Sequence, residues 1–142
     1  MLKGISPLLS PELLKTLAEM GHGDRIVLAD AHFPACRLGV PVLRADGIRI
    51  AAMLEAMLPV FELDRYVEHP LVMMAAMGGD TLDEVLLESY RRVIARHAPG
   101  FPAIRHIDKF EFYDLARRAF AVVVTGETVK YGNILLQKGV IG

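Results

Sequence analysis

The sequence predicts an α/β fold, layered, with a largely parallel central sheet flanked by helices. Three observations carry this. Short apolar runs recur along the chain, among them "RIVLA" at 25–29, "PLVMMAAM" at 70–77 and "AVVVT" at 121–125. They lack the one-in, one-out alternation of a half-exposed strand, which fits strands covered on both faces. Segments with helical spacing separate them, and strands alternating with helices build parallel sheets.

Each element has a local cause. Ser10-Pro11 opens the first helix, with serine as N-cap and proline at the first helical position. Leu13, Leu14, Leu17 and Met20 share one face, and Gly21 is expected to stop the helix. "RIVLA" is then a strand, and "VPVLRA" at 40–45 a second. Asp46-Gly47 turns the chain into a helical pattern at 48–58 that ends at Pro59. After the strand at 70–77, Thr81-Leu82-Asp83-Glu84 has the form of a capping box and opens a helix to about His97, closed by Pro99-Gly100. "AIRHI" reads as a strand, "KFEFYDLARRAF" as a helix, "AVVVTGE" as a strand, and "YGNILLQKGV" as a final apolar strand entered through Gly132-Asn133.

The 142 residues are one domain's worth, so residues 1–142 are expected to fold as a single unit. Apolar residues make up 53% before the 12 glycines are counted, and mean hydropathy is +0.35. That much apolar surface in a small chain predicts burial between copies, hence a homo-oligomer. Sixteen basic against 17 acidic residues leave no positive excess to neutralise phosphates, which argues against nucleic acid. A lone cysteine, Cys36, excludes an internal disulfide and fits a reducing cytoplasm. The N-terminus lacks the apolar stretch of a signal peptide, and "LVMMAAM" is far too short to span a bilayer.

Candidate chemistry concentrates in "MGHGDRIVLADAHFPA" at 20–35. His22 stands between two glycines, unscreened by neighbouring side chains, and an unperturbed imidazole titrates at about 6.5, where it can give or take a proton near neutrality. Asp24 or Asp30 could fix its tautomer. Ligands of parallel sheets gather at the carboxyl ends of strands, where Asp30 and Glu127 fall. His22 precedes its strand, so reaching that end needs a long turn or another subunit. A metal reading would use His22, Asp24, Asp30 and His32, but no familiar ligand spacing supports it. A plain helix-ending turn also explains "GHGD". No nucleophile elbow, phosphate loop or dinucleotide fingerprint is present. "YGN" at 131–133 gathers a phenol, a bare backbone and an amide, groups suited to a hydroxyl-rich ligand as well as to a turn.

Taken together, "SPELLKTLAEMGHGDRIVLADAHFPA", "RADG", "LVMMAAM", "FYDLARRAFAVVVTGE" and "KYGNILLQKGV" resemble the RbsD/FucU sugar-mutarotase family, in the same order from the N-terminus to nearly the last residue. His32 and "YGN" place the resemblance on the fucose-acting branch. The sister branch, the ribose pyranases, typically has glycine and Y-A-N at those places. The resemblance implies an RbsD-like layered fold, a ring-shaped homo-oligomer (typically a decamer of two stacked pentamers) with sites between subunits, and neither cofactor nor metal. It implies anomer interconversion of L-fucose or a similar monosaccharide, with His22 as the acid–base residue and with Asp30, Tyr131, Gly132 and Asn133 binding sugar. Ribose ring-size interconversion and non-catalytic sugar binding are the rival functions. One departure stands out: the bacterial fucose enzymes have arginine at the head of an R-F-x-F-Y pattern where this chain has Lys109. Lysine keeps the charge without the guanidinium fork. Lys109 is nonetheless assigned to sugar binding, Arg105 could compensate, and Tyr113 is a weaker candidate for the same pocket.

Overall fold

A computed structural model describes residues 1–142 and places six strands in one sheet with four helices against it. Helix α1 (Pro11–Glu19) begins where expected: the Ser10 hydroxyl accepts the Leu13 N–H at 3.1 Å. It ends differently. Met20 caps it in an extended conformation, and the left-handed residue is Gly23, at φ +89°. The reason is Lys138, whose ammonium donates to the Leu17 and Met20 carbonyls at 2.6 Å each and so satisfies the helix end without a glycine cap.

Strand β1 (Arg25–Ala29) matches the predicted run, and β2 (Val42–Ala45) and helix α2 (Ile50–Met57) follow. Strand β3 (Leu71–Met74) is shorter than the apolar run that contains it. Helix α3 (Glu84–His97) is capped by Asp83, whose carboxylate accepts the Leu86 N–H at 2.9 Å, and not by Thr81. Aspartate is the stronger N-cap, and Thr81 belongs to the preceding turn, its N–H given to Asp80 Oδ1. Strand β4 (Arg105–Ile107), helix α4 (Lys109–Arg117, capped by Asp108), β5 (Ala121–Thr125) and β6 (Ile134–Gln137) complete the chain.

The sheet order is β2-β5-β1-β6-β3-β4, and β6 alone runs against the other five. Side chains of β1 alternate between two cores. Ile26 and Leu28 meet Leu13, Leu17, Met53, Leu54 and Tyr90 of the first three helices, while Val27 and Ala29 meet Phe112 and Ala116 of α4. Both faces are covered, which is why polarity does not alternate along the strand. Each fully buried Ile or Leu stabilises the fold by about 1.5–3 kcal/mol. No helix is long and apolar enough to cross a membrane.

Candidate active site

The antiparallel course of β6 builds the site. Its register pairs Leu28 with Ile134, so the residues just before β6 lie beside those just after β1. Asp30 and Asn133 therefore meet, 103 positions apart: the Asp30 N–H donates to Asn133 Oδ1 at 2.7 Å. A cavity of about 190 Å³ opens here, lined by Asp30, His32, Phe33, Pro34, Met74, Met77, Lys109, Tyr113, Tyr131 and Asn133. It is smaller than the roughly 300–1,000 Å³ of sites for drug-sized ligands. It suits a ligand the size of a monosaccharide.

Asp30 is 6% exposed, and its Oδ1 accepts the His32 N–H at 2.9 Å. Burial pushes its carboxyl above the ordinary carboxylate value, against the pull of the His32 backbone and ring and the Asn133 amide. Tyr131 sits at φ +62°, a left-handed conformation costly for a residue with a side chain. Its hydroxyl donates to Asp80 Oδ2 at 2.9 Å and accepts the Met77 N–H at 3.4 Å. Lys109, the first residue of α4, holds its ammonium 5.8 Å from the centroid of the Tyr113 ring, which in turn lies 5.5 Å from Phe33. The cavity thus combines an apolar, aromatic wall with a carboxylate, an ammonium, an amide and a phenol. Such a lining fits a ring bearing several hydroxyls.

Gly132 does not line the cavity. A Cβ there would stand 2.9 Å from the Val129 carbonyl oxygen and 3.2 Å from Glu127 Cγ, so only glycine fits. Its carbonyl accepts the buried Tyr90 hydroxyl at 2.7 Å, and burial pushes that phenol far up. Buried Glu127 accepts from Arg49 at 3.0 Å and from the Thr128 and Val129 N–H groups, holding the approach to Tyr131. Arg105 lies on β4 and is not among the cavity residues.

His22 is elsewhere. It lies in the turn before β1, and the strand's five residues at about 3.3 Å each put its two ends roughly 17 Å apart. The expected carboxylate partners are also not its partners. Asp24 caps the turn itself, accepting the Gly21 N–H at 2.7 Å, and Asp30 belongs to the cavity. The carboxylate at His22 is Asp64, whose Oδ1 is 3.1 Å from Nε2. Asp64 is 2% exposed and also accepts from the Tyr66 N–H and from Gln137 Nε2, each at 2.9 Å. Burial alone would raise its carboxyl. The Tyr66, Gln137 and His22 donors outweigh burial and hold it below the ordinary value. It is therefore an ionised acceptor, which places the proton of a neutral His22 on Nε2 and leaves Nδ1 as the nitrogen that can take up or release a second proton. Behind it, Arg25 Nε donates to Gln137 Oε1 at 2.9 Å, fixing that amide's direction. The turn is fastened to the end of β6 by Gly23 N–H to Lys138 O and Lys138 N–H to Asp24 O, both 2.8 Å.

Asp64 is a candidate site residue that the sequence does not mark. It follows Leu63, which bridges to Lys138 outside any regular strand, so no periodicity marks it. The residues of the metal reading are not brought together: His22 and Asp24 lie at one end of β1, Asp30 and His32 at the other. No group of three His, Cys, Asp or Glu side chains is placed to hold a metal ion.

Known proteins resemble this chain over nearly its whole length. A family model described as the RbsD / FucU transport protein family matches residues 3–141. An L-fucose mutarotase of Glaesserella parasuis serovar 5 (strain SH0165) is 60% identical over 140 residues, covering 99% of this chain and 96% of the relative. The crystal structure of a fucose mutarotase from Streptococcus pneumoniae in complex with L-fucose superposes with a TM-score of 0.94 at 40% identity, over 99% of this chain and 100% of that one. FucU from Bifidobacterium longum gives a TM-score of 0.93 at 43% identity, with the same coverage.

Proposed function

The chain belongs to the RbsD/FucU family, and from that premise we propose that it is an isomerase interconverting the α and β anomers of L-fucose. Residues 1–142 act as one sugar-mutarotase domain. The observation that carries this reading is a division of labour along β1. A polyol-sized cavity lies at the carboxyl end, and an imidazole oriented by a buried carboxylate lies at the other.

The two ends work together when copies of the chain meet head to tail. His22 of one copy then faces the cavity of the next. Apolar side chains stand exposed toward both ends, Tyr66 against the His22 ring with Ile141 sharing a hollow with Tyr66, and Phe110 next in sequence to the cavity residue Lys109, which supports such a contact. A head-to-tail interface that closes makes a ring. The family resemblance points to pentameric rings stacked into a decamer, and the lone Cys36 to the reducing cytoplasm.

In the reaction the His22 imidazolium delivers a proton from Nδ1 to the ring oxygen, and the anomeric hydroxyl gives one up to water. The bond between C1 and the ring oxygen breaks, leaving an open-chain aldehyde. Rotation about C1–C2 presents the other aldehyde face. Closure runs the proton transfers backwards, with His22 now accepting. Positioned proton transfer of this kind is worth about 10²–10⁴-fold. Asp30 accepts from sugar hydroxyls, Asn133 both donates and accepts, Tyr131 contributes its phenol, and Lys109 supplies a point charge. Gly132 shapes the segment between Tyr131 and Asn133.

Saturation-transfer NMR between the anomeric protons of L-fucose tests the reading. Exchange should quicken with protein and should quicken less with D-ribose; calorimetric binding without faster exchange would make the protein a sugar-binding module instead.

A further inference from the structure

Asp80 lies outside the cavity, yet it is the most heavily engaged carboxylate near it. It ends a turn that begins at Met77, closed by Asp80 N–H to Met77 O at 2.9 Å. Gly78 and Gly79 are its central residues, and Gly79 has φ +82°, as a type II turn requires at that position. The carboxylate faces the other chain segment at the cavity mouth. Lys130 Nζ donates to both oxygens, at 2.9 and 2.8 Å, the Thr81 N–H to Oδ1 at 2.9 Å, and the Tyr131 hydroxyl to Oδ2 at 2.9 Å. The opposite end of the turn returns the contact, with the Met77 N–H donating to the Tyr131 oxygen.

Resting on the fucose reading of the cavity, we infer that Asp80 is a positioning residue that sets how Tyr131 meets the sugar. The phenol has one proton, and Asp80 takes it. The Met77 N–H uses one lone pair, so what Tyr131 turns toward the cavity is an acceptor alone. A sugar hydroxyl must then donate to Tyr131. Asp80 also ties the turn carrying Met77, a cavity residue, to the segment carrying Tyr131 and Asn133. Lys130 keeps the carboxylate ionised, with its carboxyl drawn down to about 2, so the latch holds throughout the neutral range.

The test is a double-variant cycle on the full-length protein, reading anomer exchange against L-fucose concentration. Asp80→Ala should raise KM about tenfold with kcat changed by less than about twofold, the scale of one charge-assisted hydrogen bond. Asp80→Asn, whose amide oxygen still accepts from the phenol, should recover most of the affinity. In a Tyr131→Phe background Asp80→Ala should raise KM no further. An equal rise in both backgrounds, or no rise in either, overturns the inference. A second readout is independent of activity. With ¹³Cζ-labelled tyrosine, Asp80→Ala should shift the Tyr131 resonance and speed amide exchange at Met77. Failure of that change overturns the latch even if wild-type exchange is fast. Slow wild-type exchange with the change present sinks the fucose reading and leaves the latch standing.

Discussion

Replacing Asp64 with asparagine removes one charge and almost no volume. Asp64 accepts from His22 Nε2, Gln137 Nε2 and the Tyr66 N–H, and Gln137 cannot turn its amide without abandoning Arg25. The asparagine amide has one acceptor oxygen, so turning it to His22 sets two NH₂ groups against each other at Gln137. A hydrogen bond to a charged group contributes about 1.5–3 kcal/mol, and 1.4 kcal/mol is about tenfold in rate. Exchange of fucose anomers at saturation should therefore slow about 10–100-fold, with KM little changed because Asp64 does not line the cavity. The stability difference carries a sign. The Asp64 carboxyl is held below its ordinary value, so the folded state binds a proton less tightly than the unfolded chain. Wild type is then more stable than Asp64→Asn above pH ~4, and the advantage is lost as pH falls through the folded-state value. Urea melts at pH 7 and at pH 3 measure it. Wild-type kcat in Asp64→Asn, or a loss falling wholly in KM, would refute the assignment of Asp64 to orienting His22.

Asp30 has the opposite sign: burial raises its carboxyl, so wild-type affinity for fucose should fail at a higher pH than an ordinary carboxylate allows, with calorimetry on Asp30→Asn giving weak, pH-independent binding. Gly132→Ala forces a Cβ against the Val129 carbonyl and should cost about 1–3 kcal/mol by urea melts, with weaker sugar binding as Tyr131 and Asn133 shift. Lys109→Ala should raise KM for fucose about tenfold while Lys109→Arg, which keeps the charge and adds a planar fork, recovers most of the affinity; a wild-type KM in Lys109→Ala would show that Lys109 does not bind sugar.

Much of the fold was legible because its causes are local. Ser10-Pro11 caps α1 by itself, and four successive buried residues in β1 announce a strand covered on both sides. Boundaries failed where a distant group intervened. Lys138, reaching from beyond β6, ends α1 without Gly21, and Asp83 displaces Thr81 as a cap. The cavity was half visible. Asp30 and "YGN" carry the right functional groups, but only the antiparallel course of β6 brings them together, and no local pattern states a strand's direction. Asp64 was invisible for the same reason. Its partner is 42 positions away, in a segment whose only regular feature is one bridge to Lys138. The family resemblance supplied what periodicity could not, the proposed assignment of His22 to a site shared between copies.

That assignment has a direct test. His22→Ala subunits, which lack the proton carrier, and Asp30→Asn subunits, which bind sugar weakly, are unfolded together, refolded as an equal mixture and assayed for fucose anomer exchange by saturation-transfer NMR at a fucose concentration far below the Kd of Asp30→Asn. A site made from His22 of one copy and the cavity of the next should be intact in about a quarter of randomly mixed interfaces. Recovery of about a quarter of wild-type exchange is the expected result. Exchange no faster than in either variant alone would contradict a site shared between subunits.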